Sequence, residues 1–227
     1  MNWAEQVDQL MTPSKLLFAA ASLVILKTVG TVLLSYRGYF PPDFQTDFLL
    51  GREAYFFGRY QGFFYAHIVS GPLSLLLSLL LGMLLLSDWL RQRKPKLHRM
   101  MGRVQVACVL GVVAPSGLWM SFYAETNSAV GSVVAGSVFA ALAVATGWTV
   151  ALGWRAAVKR NFAVHRLWMW RCYVLLCSAV VLRIIGALAI VTEAASDWLY
   201  PVAAWISSVV PLILFEAMRY PKNAERP

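Results

Sequence analysis

Six long apolar runs constrain this chain more than any other feature. A helix needs about 20 predominantly apolar residues to cross the hydrocarbon core of a bilayer. Runs of that length fall at about 16–35, 62–87, 100–122, 129–154, 167–191 and 199–218 of the 227 residues. The pattern predicts an all-α fold, a six-transmembrane-helix bundle forming one integral membrane domain, with the lipid bilayer as its solvent. The connections are too short to hold a soluble domain. Composition agrees: 59% of residues are hydrophobic and 14% charged, against ~25% charged in soluble domains. The first run continues past Lys27 without a small-residue cleavage motif, so it reads as a retained helix rather than a signal peptide.

The net charge of +9 comes from 20 Lys and Arg against 11 Asp and Glu. In a soluble protein that excess points toward nucleic acid. Here the basic residues are sorted by loop instead. Arg91, Arg93, Lys94, Lys96, Arg99 and Arg103 lie at the second–third connection. Arg155, Lys159, Arg160, Arg166 and Arg171 lie at the fourth–fifth. Lys15, Arg219, Lys222 and Arg226 flank the two ends of the chain. The opposite side carries only Arg37, Arg52 and Arg59, while its shorter loops hold Glu125, Glu193 and Asp197. The positive-inside rule then places both termini in the cytoplasm, and no nucleic-acid partner is expected. A bacterial inner membrane is the expected location.

Span 4 is rich in small residues four apart: Gly131/Ala135, Ser132/Gly136, Ala143/Gly147 and Gly147/Ala151. Such spacing lets helix backbones approach closely, which predicts a central place for this span. Pro72, Pro115 and Pro211 are expected to bend theirs. The long first loop is crowded with rings, among them Tyr39, Phe40, Phe44, Phe48, Tyr55, Phe56, Phe57 and Tyr60. It reads as a short helix lying in the membrane interface, with a binding lid as the alternative. Cys108, Cys172 and Cys177 all fall within spans and read as small apolar side chains.

Two cations lie deep within the spans, Lys27 and Arg183, and no Asp or Glu lies at their depth; Asp88 and Glu216 sit at cytoplasmic span ends. A charge at this depth costs roughly 2.5–3.5 kcal/mol on insertion scales. At ~1.5 Å rise per residue, Lys27 is ~17 Å and Arg183 ~24 Å from the cytoplasmic ends of their helices. His67 is near the outer end of span 2. Lys27, His67 and Arg183 are therefore candidates for one outer ligand-binding pocket, or else three separately satisfied polar residues.

The other histidines open two spans in the same way. Span 3 begins His98-Arg99 and adds Arg103; span 5 begins His165-Arg166 and adds Arg171. Both helices run outward from the cytoplasm, so His98 and His165 share a depth. Two imidazoles at one level on neighbouring helices can ligate a haem b, and Arg99, Arg103, Arg166 and Arg171 can pair with its propionates. The alternative is that these residues bind lipid phosphates and obey the topology rule. His165 and Arg183 are 18 residues apart, five helical turns, which predicts one shared face turned into the bundle. Three His without Cys or carboxylate at ligand spacing do not make a zinc site, and no Ser-His-Asp or deep carboxylate pair points to hydrolysis.

The segments His67-Ile68-Val69-Ser70-Gly71, His98-Arg99…Gly102-Arg103 and His165-Arg166…Trp168-Met169…Arg171, with the later Arg183, resemble a family of bacterial polytopic membrane proteins known as domain of unknown function 2306. The resemblance covers about 65–187 and implies a membrane protein without assigning chemistry. A more distant likeness is to the diheme ascorbate-reducible transmembrane cytochromes b, whose haem ligands pair spans 2 with 4 and 3 with 5. It implies that His98 and His165 match the second pair, whereas span 4 has no His to partner His67. Two functional readings follow. One is a haem b electron-transfer protein that exchanges electrons with a quinone or another small reductant near Lys27, His67 and Arg183. The other is a non-redox membrane protein: a transporter of small anions or lipids, or an accessory subunit of a membrane complex.

Overall fold

The computed structural model describes residues 3–46, 48–86, 95–124, 126, 128–194 and 196–218, with side chains from residue 19 onward except those of 84–86. Asp88, Arg91, Arg93, Lys94, Glu125, Arg219, Lys222, Arg226 and the side chain of Lys15 lie outside this description. Among the described residues the fold is all helix. Helix α1 (Trp3–Ser35) is span 1 and ends in a 3-10 turn, Tyr36–Gly38. Helix α2 (Glu53–Phe56) belongs to the first loop, and α3 (Arg59–Leu86) is span 2. Span 3 is built from α4 (Pro95–Cys108), a π-helical turn (Val109–Val113) and α5 (Ala114–Ser121). Spans 4, 5 and 6 are α6 (Ala129–Val158), α7 (Phe162–Val191) and α8 (Leu199–Ala217). All six are long and apolar enough to cross a membrane.

The surface confirms the solvent. Ile190 and Val191 are each 81% exposed and Val133 73%, whereas Ser74, Gln105, Ser116, Thr146 and Ser207 are buried. Apolar faces of this extent are rare on water-soluble monomers. In a bilayer they meet lipid, and the polar side chains turn inward to bond each other and the backbone.

Which spans touch defines the architecture. Spans 2 and 3, 3 and 4, 4 and 5, and 5 and 2 pack against one another. The backbones of spans 3 and 5 stay apart, as do those of spans 2 and 4, while Val109 of span 3 and Cys172 of span 5 share one buried cluster with Val150 of span 4. Spans 2–5 are thus the corners of a square, with 3 and 5 on one diagonal. Span 1 leans on spans 2 and 5, and span 6 on spans 4 and 5. Span 5 touches spans 1, 2, 4 and 6, and span 4, which the small-residue pattern placed centrally, packs closely on spans 3, 5 and 6. Those small residues seat particular neighbours. A Cβ on Gly136 would stand 2.7 Å from the Ser121 carbonyl oxygen, and one on Gly147 3.3 Å from the Ala114 Cβ. They let span 4 close on span 3.

The prolines are absorbed rather than simply bending their helices. Proline has no N–H to give to the carbonyl four residues back. Pro72 so frees the Ile68 carbonyl, and the Tyr36 hydroxyl donates to it, fastening the end of span 1 to span 2. Pro115 is the second residue after the π turn, and the Ser116 hydroxyl donates to the Val112 and Val113 carbonyls at 2.6 and 3.2 Å. The first loop differs from the expected interfacial helix. Its only helix, among the described residues, has four residues. Leu49, Phe56, Tyr60 and Phe64 are buried in an aromatic cap over the bundle. The reason is that the rings find one another: Phe48 stacks on Phe64 at 5.5 Å and Phe40 on Tyr65 at 4.4 Å. The bundle therefore has an aromatic end, with this cap, and a basic end, where the chain's two ends lie.

Candidate functional site

At the basic end, His98 opens span 3 and His165 opens span 5, across the diagonal of the square. They are close enough for their charges to act on each other, while the two helix backbones stay apart. The His165 ring is oriented by span 4: Nδ1 lies 2.9 Å from the Gly153 carbonyl oxygen. A carbonyl only accepts, so Nδ1 carries the proton and donates. In the neutral ring Nε2 then keeps its lone pair, the arrangement found at metal-ligating histidines. His98 has no hydrogen bond among the described residues. The fixed lone pair of His165 and a second imidazole at the same end are the donor set that a bis-His haem needs. Gly153 serves twice here, because its missing Cβ leaves room for Met169, whose Sδ would stand 2.7 Å away.

The four arginines are not equivalent. Arg171 makes a bidentate pair with Glu216 of span 6, Nε to Oε1 at 2.6 Å and Nη2 to Oε2 at 3.1 Å. Its guanidinium also lies 4.4 Å over the Trp168 ring. This alters the expectation that Arg171 holds a propionate: its fork is filled by the carboxylate of a neighbouring span. Arg99 bonds only its own helix, Nε donating to the Pro95 carbonyl at 3.4 Å. Arg103 and Arg166 are exposed and make no hydrogen bond or ion pair among the described residues. Among the described residues no three His, Cys, Asp or Glu cluster to hold a metal ion.

Toward the aromatic end, His67 is lodged between spans. Its Nδ1 is 3.0 Å from the Ser116 Oγ. The hydroxyl proton is already given to the Val112 carbonyl, so Nδ1–H donates to Oγ. The ring abuts Gly117, where a Cβ would come within 3.2 Å of Cε1, with the Ala143 Cβ of span 4 beside it. The place a partner from span 4 would need is taken by that alanine. Arg183 lies within electrostatic reach of His67 and of the Tyr36, Tyr39 and Tyr200 hydroxyls. It is exposed, and its Nη1 donates to the Ala179 carbonyl of its own helix at 3.0 Å. The shared inward face expected for His165 and Arg183 is not kept: His165 turns to span 4, and Arg183 opens outward beside spans 1 and 6.

Lys27 stands apart. Ile25 and Val29 pack span 1 onto Leu75, Leu79 and Val180. Lys27 lies between them in sequence, which at 100° per residue puts it on the opposite face of the helix. It is exposed and has no hydrogen bond or ion pair among the described residues. The structure thus brings His67 and Arg183 into one neighbourhood and leaves Lys27 outside it.

A family model described as "Predicted membrane protein (DUF2306)" matches residues 64–218. The chain belongs to that family. The match takes in spans 2 to 6 and reaches past the 65–187 stretch of the sequence resemblance to include Glu216, the partner of Arg171. It contains every histidine and Arg183, and it leaves out Lys27, Arg52 and most of the aromatic loop. The DUF2306 core is thus the square of helices plus span 6, with span 1 and the cap outside it. No curated protein and no solved structure matches the chain.

Proposed function

We propose that this DUF2306 protein is an electron-transfer protein that holds one haem b between His98 and His165. The single observation that carries the reading is the diagonal pair itself. Two imidazoles open diagonal helices at the same end of the square, within electrostatic reach of each other, and one has its ring orientation and tautomer fixed by the Gly153 carbonyl. A bound haem b supplies one-electron exchange at its iron. The chain's own residues orient and tune. The Gly153 carbonyl holds the His165 proton on Nδ1 and raises the basicity of Nε2. Arg99, Arg103 and Arg166 supply positive charge for propionates, and Arg171 with Glu216 ties span 5 to span 6 just behind the site. By the positive-inside rule this end faces the cytoplasm, with both termini, in a bacterial inner membrane. A quinone or another small reductant is the expected electron partner. The closed packing of His67 against Gly117 and Ala143 supports one haem rather than two.

Purified protein should show a Soret and α-band spectrum that shifts on reduction with dithionite. His98→Ala and His165→Ala should each abolish it, and His67→Ala should leave it in place. A colourless protein, from a host supplied with haem, overturns the reading. A second reading is favoured by one specific feature: among the described residues Arg183 has no carboxylate partner. In that reading the protein is a non-redox transporter of small anions or lipids, or an accessory subunit.

A further inference from the structure

Arg183 poses a chemical question that the cytoplasmic site leaves untouched. A guanidinium has five N–H donors, and the described contacts of Arg183 satisfy one of them, with the Ala179 carbonyl. Its charged neighbours within electrostatic reach are an imidazole and phenols: His67, Tyr36, Tyr39 and Tyr200. Tyr36 has committed its proton to the Ile68 carbonyl. A second cation, Arg52, lies close enough to act on Tyr200. The only acidic residue in the six membrane-crossing segments is Glu216, at the other end of span 6 and bound to Arg171. A second copy of the chain would bring no intramembrane carboxylate either. The missing anion must come from a ligand.

The route to Arg183 says what kind of ligand. Spans 1 and 6 both pack on span 5 and do not touch each other. Tyr36 ends span 1 and Tyr200 begins span 6, and Arg183 lies within reach of both. Ala179, Arg183 and Ala187 succeed one another at one-turn spacing along span 5, and all three are exposed. They form the floor of a groove between the flanking helices, small above and below the cation. The groove opens sideways into the bilayer rather than into water. We propose that this groove binds a membrane-borne amphiphile through its oxyanion, a carboxylate or a phosphate held by Arg183, with the apolar tail lying along Ala187 or Ala179. The planar guanidinium suits either anion bidentately. The site does not depend on the haem reading: it shares no residue with the cytoplasmic pair and is read by lipid binding, not by colour.

The test uses the full-length protein in nanodiscs of phosphatidylcholine. Spin-labelled stearate and spin-labelled phosphatidylglycerol are added in separate arms, and the motionally restricted fraction is compared with that of labelled phosphatidylcholine. The expected result is a preference of about 5–10-fold for at least one anionic label, the size of a charge-assisted contact partly screened at a membrane surface. Preference in the stearate arm alone names a carboxylate, in the phosphatidylglycerol arm alone a phosphodiester, and in both a general oxyanion. Arg183→Gln should abolish the preference, Arg183→Lys should reduce it, and Lys27→Gln should leave it unchanged. Ala187→Phe together with Ala179→Phe fills the groove from the lipid side without touching the core; this variant should also lose the preference, which covers any misfolding of Arg183→Gln. The proposal is overturned if neither anionic label is preferred, if the preference survives in both Arg183→Gln and the groove-filled variant, or if a neutral decyl-quinone competes as well as stearate does.

Discussion

The two ends of the bundle use the same residue types to opposite effect. At the aromatic end, polar groups are consumed by the protein. Arg52 donates to the Phe48 and Tyr123 carbonyls and to the Tyr55 hydroxyl at 2.7, 3.0 and 3.0 Å, and it lies 5.0 Å over the Phe48 ring. His67 is spent on Ser116. At the basic end, His98 and the Nε2 of His165 make no hydrogen bond among the described residues, and Arg103 and Arg166 have no described partner. Arg171 and Arg183, three turns apart on one helix, repeat the contrast in reverse: the first has its carboxylate, the second none. What a His or Arg does here is decided by its neighbours, not by its depth.

Substitutions can break that comparison. The largest effect is expected from the histidines. Removal of either basic-end imidazole should eliminate the haem spectrum, while His67→Ala should keep it and cost only stability; equal spectral loss at all three positions would erase the distinction between the ends. Next comes Arg52. Replacement by Ala removes its bonds to Phe48, Tyr55 and Tyr123 and a longer fourth bond, to the Tyr60 hydroxyl at 3.4 Å, and should destabilise the fold by about 2–3 kcal/mol, since such bonds contribute about 1.5–3 each and are not additive. Equilibrium unfolding in mixed micelles would read this, with the near-ultraviolet signal of the aromatic cap lost first. The Arg171–Glu216 pair should be worth less. Its side chains are 22% and 38% exposed, so a double-mutant cycle should return a coupling of about 1–2 kcal/mol, above an ordinary surface pair because the geometry is bidentate. Gly117→Ala presses a methyl to 3.2 Å from the His67 ring and should cost about 1 kcal/mol by mild overpacking. Lys27→Leu should be the smallest: with no described partner on the outward face of span 1, its loss should change neither thermal stability nor haem content measurably.

Much of the fold was legible because a bilayer imposes a length. All six spans were evident from apolar runs alone, and the match to the DUF2306 family rests on the same core. The boundaries moved outward, as with span 3, which begins at Pro95 rather than near 100, because a polar first turn at the membrane surface remains helical. Neighbour relations were less legible. Small residues reveal where a helix can be approached, not which helix comes: they mark span 4 as closely packed without naming spans 3, 5 and 6 as its neighbours. The partners of the site histidines were hidden because they are backbone carbonyls and a serine, which carry no sequence signal of their own. Two clues did exist. Proline at 72 announces a free carbonyl at 68, the one Tyr36 takes, and Glu216 stands at the basic end of span 6, where an arginine of span 5 takes it. The outward turn of Arg183 followed from the lean of spans 1 and 6, a tertiary fact that periodicity within one helix does not contain.

If the diagonal pair holds a single haem, stoichiometry reads it out most directly. A pyridine haemochrome assay on monodisperse protein from haem-replete cells, divided by protein from amino-acid analysis, should give close to one haem b per chain in the wild type and in His67→Ala, and none in His98→Ala or His165→Ala. A wild-type value near zero would contradict the claim, and a value near two would contradict the assignment of His67 to packing.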